Sequence, residues 1–375
     1  MNMHLSYWEK QEISKPDQIV IVGSGVVGIT TSIYIKRKNP EISVIILERG
    51  QLPLGASTKN AGFSCFGSVS EVLDDLGHMS EGEVINLIRN RYNGLQRLLS
   101  LVSNNEIEYF NNGGYEVFTH DQEELFQSCV EKINHCSDLV YEATGIKNAY
   151  QLMDTPYGLN TEEKSIFNPY EGQLNPMKLM KSLITTAIKS GVMILNGITV
   201  NEIVENSKEL KCNNDIVVPY KKLVICTNGF ATKLLKDLDL KTVRNQVLMT
   251  KPIEGLQLKG CYHYNKGYVY FRDYHGRVLL GGGRDIAMEE ETTDEFGLTE
   301  KIQNYLKSFL YNTIGIDKNI EIDHWWSGIL GVGSTKSTII REYRKDHFMG
   351  VRMGGMGVAL GSEVGYKLAS MVVMK

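Results

Sequence analysis

The sequence predicts an α/β protein (α+β overall) of two lobes, one built on a parallel sheet and one on a mostly antiparallel sheet. Its 375 residues exceed the roughly 250–300 residues at which a single core stops growing. Short β-branched runs flank a helical pattern near the N-terminus, whereas aromatic-rich strands such as "CYHYNKGYVYF" follow one another between residues 243 and 321. The first pattern is typical of parallel sheets and the second of antiparallel sheets.

The composition excludes several classes of partner. Forty basic and 44 acidic residues give a formal net charge of −4, and neither sign forms a long run. The longest apolar runs, such as "IVIVG" and "VIIL", are far shorter than the about 20 residues that cross a bilayer. Trp8, Glu9 and Lys10 stand where an export signal needs apolar residues. We therefore expect a cytoplasmic protein that binds neither nucleic acid nor membrane.

The cysteines and histidines do not indicate a metal site. The six cysteines contain no CxxC pair, and the eight histidines show no HxxxH spacing. Such spacings are typical of zinc sites and redox dithiols. We expect no bound metal.

The segment "QIVIVGSGVVGITTSIYIKRKNPEISVIILE" predicts a complete βαβ unit. Gly23 permits a tight turn, Gly25 lets a pyrophosphate approach the backbone, and Gly28 lets the helix pack closely on the strand. Glu48 ends the second strand 20 residues after Gly28, which is the expected position for binding a ribose. The unit predicts a Rossmann-like dinucleotide site with these candidate residues: Gly23, Ser24, Gly25, Val27, Gly28, Glu48 and Arg49. This pattern by itself fits NAD and FAD equally.

The stretch "GASTKNAGFSCFGS", Gly55 to Ser68, favours FAD over NAD. A nicotinamide enzyme normally continues with alternating strands and helices, whereas this stretch has small and hydroxyl residues that suit a flat, phosphorylated ligand. Ser57, Asn60, Ala61 and Gly62 are its candidate cofactor-binding residues. The alternative interpretation is a glycine-rich surface loop.

A third signal lies near the C-terminus. Residues 347–353 predict a strand, the glycines of "GGMG" end it, and Val358, Gly361, Val364 and Leu368 recur at helical spacing. The N-terminus of that helix carries a positive partial charge, which would stabilise a flavin ring that accepts a hydride. The candidate residues are Gly354, Gly355, Met356, Gly357 and Val358. The alternative is an ordinary core helix.

Taken in order, these segments resemble the D-amino-acid oxidase superfamily of FAD-dependent oxidoreductases, which includes glycine oxidase, sarcosine oxidase and γ-glutamylputrescine oxidase. The likeness also includes "SYWEK", "EGQLNPMKLMKSLITTAIKSGVMILNGITVNEI", "KKLVICTNGFATKLL", "VRNQVLMTKP" and "YVYFRDYHGRVLLGGGRD". The resemblance implies FAD, with Val200 meeting the adenine and Thr227 and Gly229 close to the cofactor. Some relatives attach the flavin covalently, and Cys65 is a possible anchor, but we expect non-covalent FAD. The resemblance also implies oxidation of the C–N bond of an amine or amino acid, with hydride transfer to flavin N5.

The predicted FAD-binding domain is discontinuous. It comprises residues 1–90, 166–242 and 322–375, and the substrate-binding domain comprises residues 91–165 and 243–321. Within these ranges, Ser80 with Glu83 predicts a capping box, Asn175-Pro176 predicts a helix start, and residues 107–119 around "NNGG" predict a hairpin.

Four residues are candidates for contact with a small-molecule amine or amino acid: Arg272, Tyr268, Tyr270 and Arg352. Tyr268, Tyr270 and Arg272 share one face of a strand by the period of two, and Arg352 directly precedes the C-terminal glycines. A carboxylate is usually held by an arginine fork. The alternative for the face is a solvated aromatic ladder, and Arg341 and Arg344 are further candidates.

One departure bears on the substrate. Glycine-oxidase-like members of the superfamily carry an arginine where this chain reads "SGILGVGST". Because that arginine is missing here, an amine such as a γ-glutamyl-polyamine is an alternative to a small amino acid as the substrate. Two other functions also stay open, an NAD-dependent dehydrogenase and a non-catalytic flavin-binding subunit.

Overall fold

The computed structural model describes residues 5–374. The ends of the predicted domain ranges, residues 1–4 and 375, lie outside the described residues. The α-helices of the described part are α1 (Tyr7–Ile13), α2 (Val26–Lys38), α3 (Val69–Leu76), α4 (Glu81–Leu99), α5 (Glu123–Thr144), α6 (Pro176–Lys189), α7 (Glu300–Asn312) and α8 (Gly357–Met374). Within residues 5–374, no helix is both long and apolar enough to cross a bilayer.

The strands form two large sheets and two small ones. In chain order they are β1 (Ile19–Val22), β2 (Val44–Glu48), β3 (Phe63–Ser64), β4 (Gly114–Glu116), β5 (Gln151–Asp154), β6 (Lys164–Asn168), β7 (Gly172–Gln173), β8 (Met193–Asn196), β9 (Val200–Val204), β10 (Glu209–Cys212), β11 (Val217–Pro219), β12 (Lys222–Ile225), β13 (Lys241–Thr250), β14 (Cys261–Tyr264), β15 (Val269–Tyr274), β16 (Arg277–Gly282), β17 (Ile322–Val332), β18 (Ile339–Arg344) and β19 (His347–Val351). The small sheets are β11-β10-β9 and β3-β7.

The first large sheet has the order β18-β19-β12-β1-β2-β8. β1 pairs in parallel with β2 and β12, so that Val22 is level with Leu47 and Ile225. All four residues of β1 are buried, which explains its unbroken β-branched sequence, since strands covered on both faces carry no polar alternation. The carboxyl ends of β1, β2 and β12 therefore open at one edge, where an α/β sheet binds its ligands.

Small residues bring α8 against this sheet's helices. A Cβ on Gly365 would lie 2.2 Å from Thr30 Oγ1 of α2, and a Cβ on Gly94 of α4 would lie 1.8 Å from the Ala359 carbonyl oxygen. The three helices can pack this closely because these positions have no side chain. This packing fixes the start of α8 beside the start of α2.

The second large sheet has the order β17-β13-β16-β15-β14-β4-β6-β5. All of its pairs are antiparallel except β14 with β4. Helix α7 covers one face with Ile302, Leu306, Phe309 and Leu310. The two large sheets together confirm the predicted α/β fold with a second, mostly antiparallel sheet.

Local predictions fared unequally. The capping box at Ser80 and the helix start at Asn175-Pro176 are confirmed. The hairpin predicted around "NNGG" is wrong, because β4 is the only strand within residues 107–119 and it pairs with β14 and β6 rather than with a neighbouring segment. Its partners are distant in sequence, which a local turn signal does not reveal.

The predicted domain bounds stay a prediction, and two elements run across them. The bounds place residues 322–332 in the FAD-binding domain, but β17 pairs along its whole length with β13 of the eight-stranded sheet. Helix α4 spans the boundary at residue 90 without a break.

Candidate functional site

Two cavities, each of about 390 Å³, lie between the two large sheets and open into one another. The turn cavity contains the Gly23–Val27 turn, and the sheet cavity lies on the eight-stranded sheet. Seven residues line both of them: Ala56, Asn60, Leu330, Met353, Gly354, Gly355 and Val358. The shared wall makes one elongated space that suits a long ligand.

The turn cavity begins where β1 ends. Gly23 has φ +103°, and a Cβ there would lie 2.8 Å from the Cys226 carbonyl oxygen. A Cβ on Gly28 would lie 1.9 Å from the Gly23 carbonyl oxygen, so Gly28 permits the packing of α2 on the turn and does not line the cavity. Gly25 is the N-cap of α2 and has no side chain to occupy the free N–H groups, which leaves the positive end of the helix open to an anion.

Ser57 connects the Gly55–Ser68 stretch to this turn. Val26 N donates to Ser57 Oγ over 3.0 Å, and a Cβ on Gly25 would lie 2.8 Å from the same oxygen. The hydroxyl therefore lies beside the start of α2, where a phosphate would bind.

Glu48 lies at the end of β2 and is 6% exposed. Its Oε2 accepts from Ser24 N (3.0 Å) and Ser24 Oγ (2.9 Å), and its Oε1 accepts from Gly50 N (3.0 Å). Ser24 thus orients Glu48 and does not line the cavity itself, contrary to the prediction of a direct contact. Leu54 N also donates to Oε1 over 3.4 Å, so four donors already face the about four lone-pair positions of the carboxylate. A ribose hydroxyl would displace the long contact from Leu54.

The far wall of the turn cavity comes from residues 198–201 and 226–234. Val200 and Thr227 both line it, and the buried Thr227 Oγ1 has no hydrogen-bond partner within residues 5–374. Arg49 lies over the Phe230 ring, with 4.0 Å from its guanidinium carbon to the ring centroid. Gly229 does not line the cavity, because a Cβ there would lie 2.7 Å from the Leu330 carbonyl oxygen. The orphan hydroxyl and the open helix end fit the adenosine and pyrophosphate portion of a dinucleotide.

Two backbone segments meet at the junction of the cavities. Asn60 shapes the first: its Nδ2 donates to the Ala56 and Ser57 carbonyls, and its Oδ1 accepts from Gly62 N over 2.9 Å. The second runs through Gly354 and Gly355, at which an added Cβ would meet nothing within 4 Å. The structure brings the two segments together although nearly 300 residues separate them in sequence.

Helix α8 starts at Gly357, immediately after the second segment. Met356 lines the sheet cavity and Gly357 lines the turn cavity, so the positive end of α8 lies at the junction. Asn228 fixes this arrangement, because its Oδ1 accepts from Arg352 N and Met353 N over 3.1 Å each. The sequence analysis missed Asn228, although its place between Thr227 and Gly229 was a signal.

The floor of the sheet cavity is one face of the eight-stranded sheet. Tyr270 pairs with Gly281, Gly281 with Val247, and Val247 with Trp326. Residues at these paired positions have their side chains on that same face of the sheet. Gly281 leaves room for the Tyr270 ring, since a Cβ there would lie 2.7 Å from Tyr270 Cε2. Trp326 Nε1 donates to the Lys59 carbonyl over 2.8 Å, which anchors the Gly55–Ser68 stretch to the sheet.

Arg272 is not placed to hold a substrate, and this part of the prediction needs correction. The residue is 3% exposed. Its Nε donates to the Ala61 carbonyl over 2.6 Å, and its Nη2 donates to the Leu174 carbonyl over 3.0 Å. Arg272 does share a face of β15 with Tyr270, but Ala61 and Gly62 cover it. It secures the first backbone segment and does not line the cavity.

Arg352 lines the sheet cavity, but its guanidinium is fully engaged. Nε donates to the Ser337 carbonyl, Nη1 to Asp239 and Nη2 to Thr335 Oγ1. It therefore holds the loop before β18 in place and is not a free fork. Arg341 and Arg344 lie on the edge strand β18 and line neither cavity.

A buried ion pair lies under the sheet cavity. His263 Nε2 is 2.7 Å from Glu171 Oε2. Burial by itself would lower the pKa of His263, but the negative charges of Glu171, Glu71 and Glu116 outweigh it and raise this pKa to about 9. The Cys65 Sγ lies within 4.8 Å of a ring nitrogen of His263 and a carboxylate oxygen of Glu171. Burial raises the pKa of the Cys65 thiol well above its usual value. At neutral pH the His263 imidazole is therefore protonated and the Cys65 thiol is neutral.

The comparisons with known proteins agree with this geometry. A family described as FAD dependent oxidoreductase matches residues 18–371. No curated protein sequence matches the chain significantly. Among solved structures, the chain is similar to iminodiacetate oxidase from Chelativorans sp. BNC1, with 17% identity, TM-score 0.76 and 95% of both chains covered.

Two further structures share the fold. Glycine oxidase from Bacillus cereus has 18% identity and TM-score 0.70, with 96% of this chain and 95% of that chain covered. L-α-Glycerophosphate oxidase from Mycoplasma pneumoniae, solved with FAD bound, has 16% identity and TM-score 0.74, with the same shares covered. The site combines an open helix end, an orphan hydroxyl and two converging glycine segments in one elongated space. Since the family match also spans nearly all of its length, the chain belongs to the D-amino-acid oxidase family of FAD-dependent oxidoreductases.

Proposed function

We propose that this FAD-dependent oxidoreductase oxidises the C–N bond of an amino acid or amine that binds in the sheet cavity. FAD bound in the turn cavity would supply the hydride acceptor, its N5, for the hydride that leaves the carbon next to the nitrogen. The observation that carries the proposal is the continuity of the two cavities, since seven residues line both. A cofactor held in the turn cavity can thus reach a small molecule in the sheet cavity.

The turn cavity supplies the groups that hold the cofactor. The start of α2 would offer N–H groups to the pyrophosphate, with Ser57 beside them, while Glu48 would hold the ribose and Val200 would meet the adenine. The segments around Asn60 and Gly354 would flank the flavin, and the N-terminus of α8 would stabilise negative charge on it. This arrangement also supports non-covalent binding, since the Cys65 thiol is held neutral by burial.

The sheet cavity positions the substrate. Tyr268 and Tyr270 line it together with Phe63, which contacts Tyr270 edge to face at 5.6 Å between ring centroids. The buried groups here do not accept a proton at neutral pH, because His263 already carries one and burial raises the pKa of Tyr270. Geometry therefore contributes most of the effect, and the amine binds in its neutral form.

Two further parts of the proposal are organisational. We propose a discontinuous FAD-binding domain, with residues 322–332 assigned to the substrate-binding domain because β17 belongs to the eight-stranded sheet. A cytoplasmic location is supported by the cysteines, which are all free and buried, as is usual in reducing compartments.

Two optical measurements test the proposed reaction. The purified protein is expected to show the visible spectrum of bound flavin, and that colour is expected to bleach without oxygen when the right amine is added. The panel comprises amino acids of both hands, N-methyl amino acids and polyamine conjugates, with glycerol 3-phosphate as a substrate without nitrogen. Bleaching by an amine supports the proposal and excludes a non-catalytic subunit. Bleaching by glycerol 3-phosphate alone, or by nothing in the panel, would contradict it.

A further inference from the structure

The charges that line the sheet cavity are strongly unequal in sign. Seven cationic side chains line it, but only two acidic ones, Glu71 and Asp74. The cations are Lys59, Arg91, His263, Lys266, Arg284, Lys336 and Arg352. Unbalanced positive charge in a partly enclosed space favours an anionic ligand.

Five of the seven cations have carboxylate partners nearby. Lys336 lies 2.6 Å from Asp75, which also faces Arg91 at 4.0 Å. Lys266 lies 3.0 Å from Asp74. The remaining two pairs are His263 with Glu171 and Arg352 with Asp239. The positive charges of these five side chains are therefore largely balanced by nearby carboxylates.

Arg284 is the first cation without such a partner. Its guanidinium carbon lies 5.0 Å from the centroid of the Tyr268 ring, and no carboxylate within residues 5–374 forms an ion pair with it. Gly282 and Gly283 turn the chain here with φ of +110° and +76°, and Gly283 N donates to the Tyr268 carbonyl over 2.9 Å. The carboxylate of the neighbouring Asp285 is turned towards Asn265, whose Nδ2 donates to Asp285 Oδ2 over 2.9 Å, and it lies outside ion-pair distance of Arg284.

Lys59 is the second cation of the sheet cavity without a carboxylate partner among the described residues. Its Nζ lies 5.5 Å from the centroid of the Phe296 ring, and within the described part of the chain no carboxylate lies at ion-pair distance from it. A Cβ on Gly328 of β17 would lie 3.4 Å from Lys59 Cβ. Lys59 thus stands at the β17 side of the cavity, whereas Arg284 stands at the β15 side. β13 and β16 lie between those strands, which is three strand spacings or about 14 Å.

We propose that the sheet cavity selects an amine that carries two carboxylates, with Arg284 holding one and Lys59 the other. The inference deepens the proposed function and rests on it for the position of the reacting amine. Two long, flexible cationic side chains on opposite sides of the cavity suit two anionic groups of one small molecule, and the guanidinium offers a planar fork to one of them. A simple amine or a polyamine would leave both cations without a partner.

Binding of inert anions tests this without turnover. Succinate, propionate and succinamide contain no amine, and their binding to the FAD-loaded protein can be read from the perturbation of the flavin spectrum. Succinate is expected to bind at least about tenfold more tightly than propionate, because each charge-assisted contact contributes on that order. Succinamide is expected not to bind. Equal affinity for succinate and propionate would overturn the inference.

Matched variants locate the effect. Arg284→Gln and Lys59→Gln are each expected to lose the preference for succinate, whereas Arg277→Gln is expected to keep it. Arg277 is a suitable control because it lies on β16, outside the cavity lining, paired with Asp323. Each variant is first checked for a normal flavin spectrum and unfolding midpoint. A succinate preference that survives both substitutions would overturn the assignment.

The two proposals fail separately. If amines bleach the flavin but succinate has no advantage, the dicarboxylate inference is wrong and the proposed reaction stands. If succinate binds as expected but no amine bleaches the flavin, the anion site stands and the proposed reaction is wrong.

Discussion

Replacing Arg272 by methionine separates a structural role from a substrate-binding role at this position. The guanidinium makes two short hydrogen bonds, to the Ala61 and Leu174 carbonyls, while 3% exposed. Bonds from a charged donor contribute about 1.5–3 kcal/mol each. The two bonds together contribute about 3–6 kcal/mol. Burial lowers the pKa of Arg272, so the buried charge is itself costly, and its removal by methionine offsets about 1–2 kcal/mol of the loss. We expect a net loss of about 2–4 kcal/mol in the free energy of unfolding.

Part of this loss is expected to appear in cofactor binding, because Ala61 belongs to the backbone segment that we propose flanks the flavin. If about 1.4 kcal/mol of it falls on that segment, the Kd for FAD rises about tenfold. Flavin fluorescence during reconstitution of the apoprotein measures the Kd, and urea unfolding measures stability. Arg277→Met is the matched control. If Arg272→Met leaves both quantities unchanged and raises only the KM of a carboxylate substrate, then Arg272 is the fork after all and our assignment is wrong.

Three other changes are informative. Gly28→Ala places a Cβ 1.9 Å from the Gly23 carbonyl oxygen, so we expect loss of FAD binding and about 2–3 kcal/mol of stability. Gly82→Ala on α4 is the control, since its Cβ meets nothing within 4 Å and Gly82 lines neither cavity. It should keep the wild-type affinity for FAD, and equal affinity in both variants would contradict the packing argument. Glu48→Gln replaces one carboxylate oxygen by an NH₂ group, which then faces the N–H donors of Ser24 or Gly50. We expect the Kd for FAD to rise about tenfold or more. Reconstitution of the apoprotein measures this Kd, with Glu41→Gln as an exposed control. The pKa of His263, raised to about 9, contributes stability that is complete below the unfolded pKa of about 6.5 and is lost as the pH rises through 9. The difference in unfolding free energy between wild type and His263→Gln should therefore shrink between pH 6 and pH 9.5, and a constant difference would count against the ion pair.

The βαβ unit and the C-terminal helix could be predicted because their signals are local. Gly23, Gly25 and Gly28 directly follow a buried strand, and Val358, Val364 and Leu368 follow a helical period within a single helix. Strand β4 could not be predicted correctly, since its partners β14 and β6 lie at least 48 residues away and no turn residue specifies such a pairing.

The substrate residues show the same limit more clearly. The alternation correctly placed Tyr270 and Arg272 on one face of β15, because side-chain direction follows the backbone, whereas Tyr268 lies just before the strand begins. The alternation did not show that Ala61 covers Arg272, or that the turn at Gly282 and Gly283 brings Arg284 over Tyr268. Those contacts depend on segments far apart in the chain.

The sequence by itself determined the family, the cofactor and the two glycine segments, because close approach to a phosphate or a flavin demands particular residues at fixed spacing. Only the tertiary structure decided which charges are free. Arg272 and Arg352 donate to backbone carbonyls and to Asp239, whereas Lys59 and Arg284 contact aromatic rings and have no carboxylate partner within residues 5–374. The sequence shows which side chains are charged, but whether a charge is free to bind a ligand depends on the neighbours that folding brings to it.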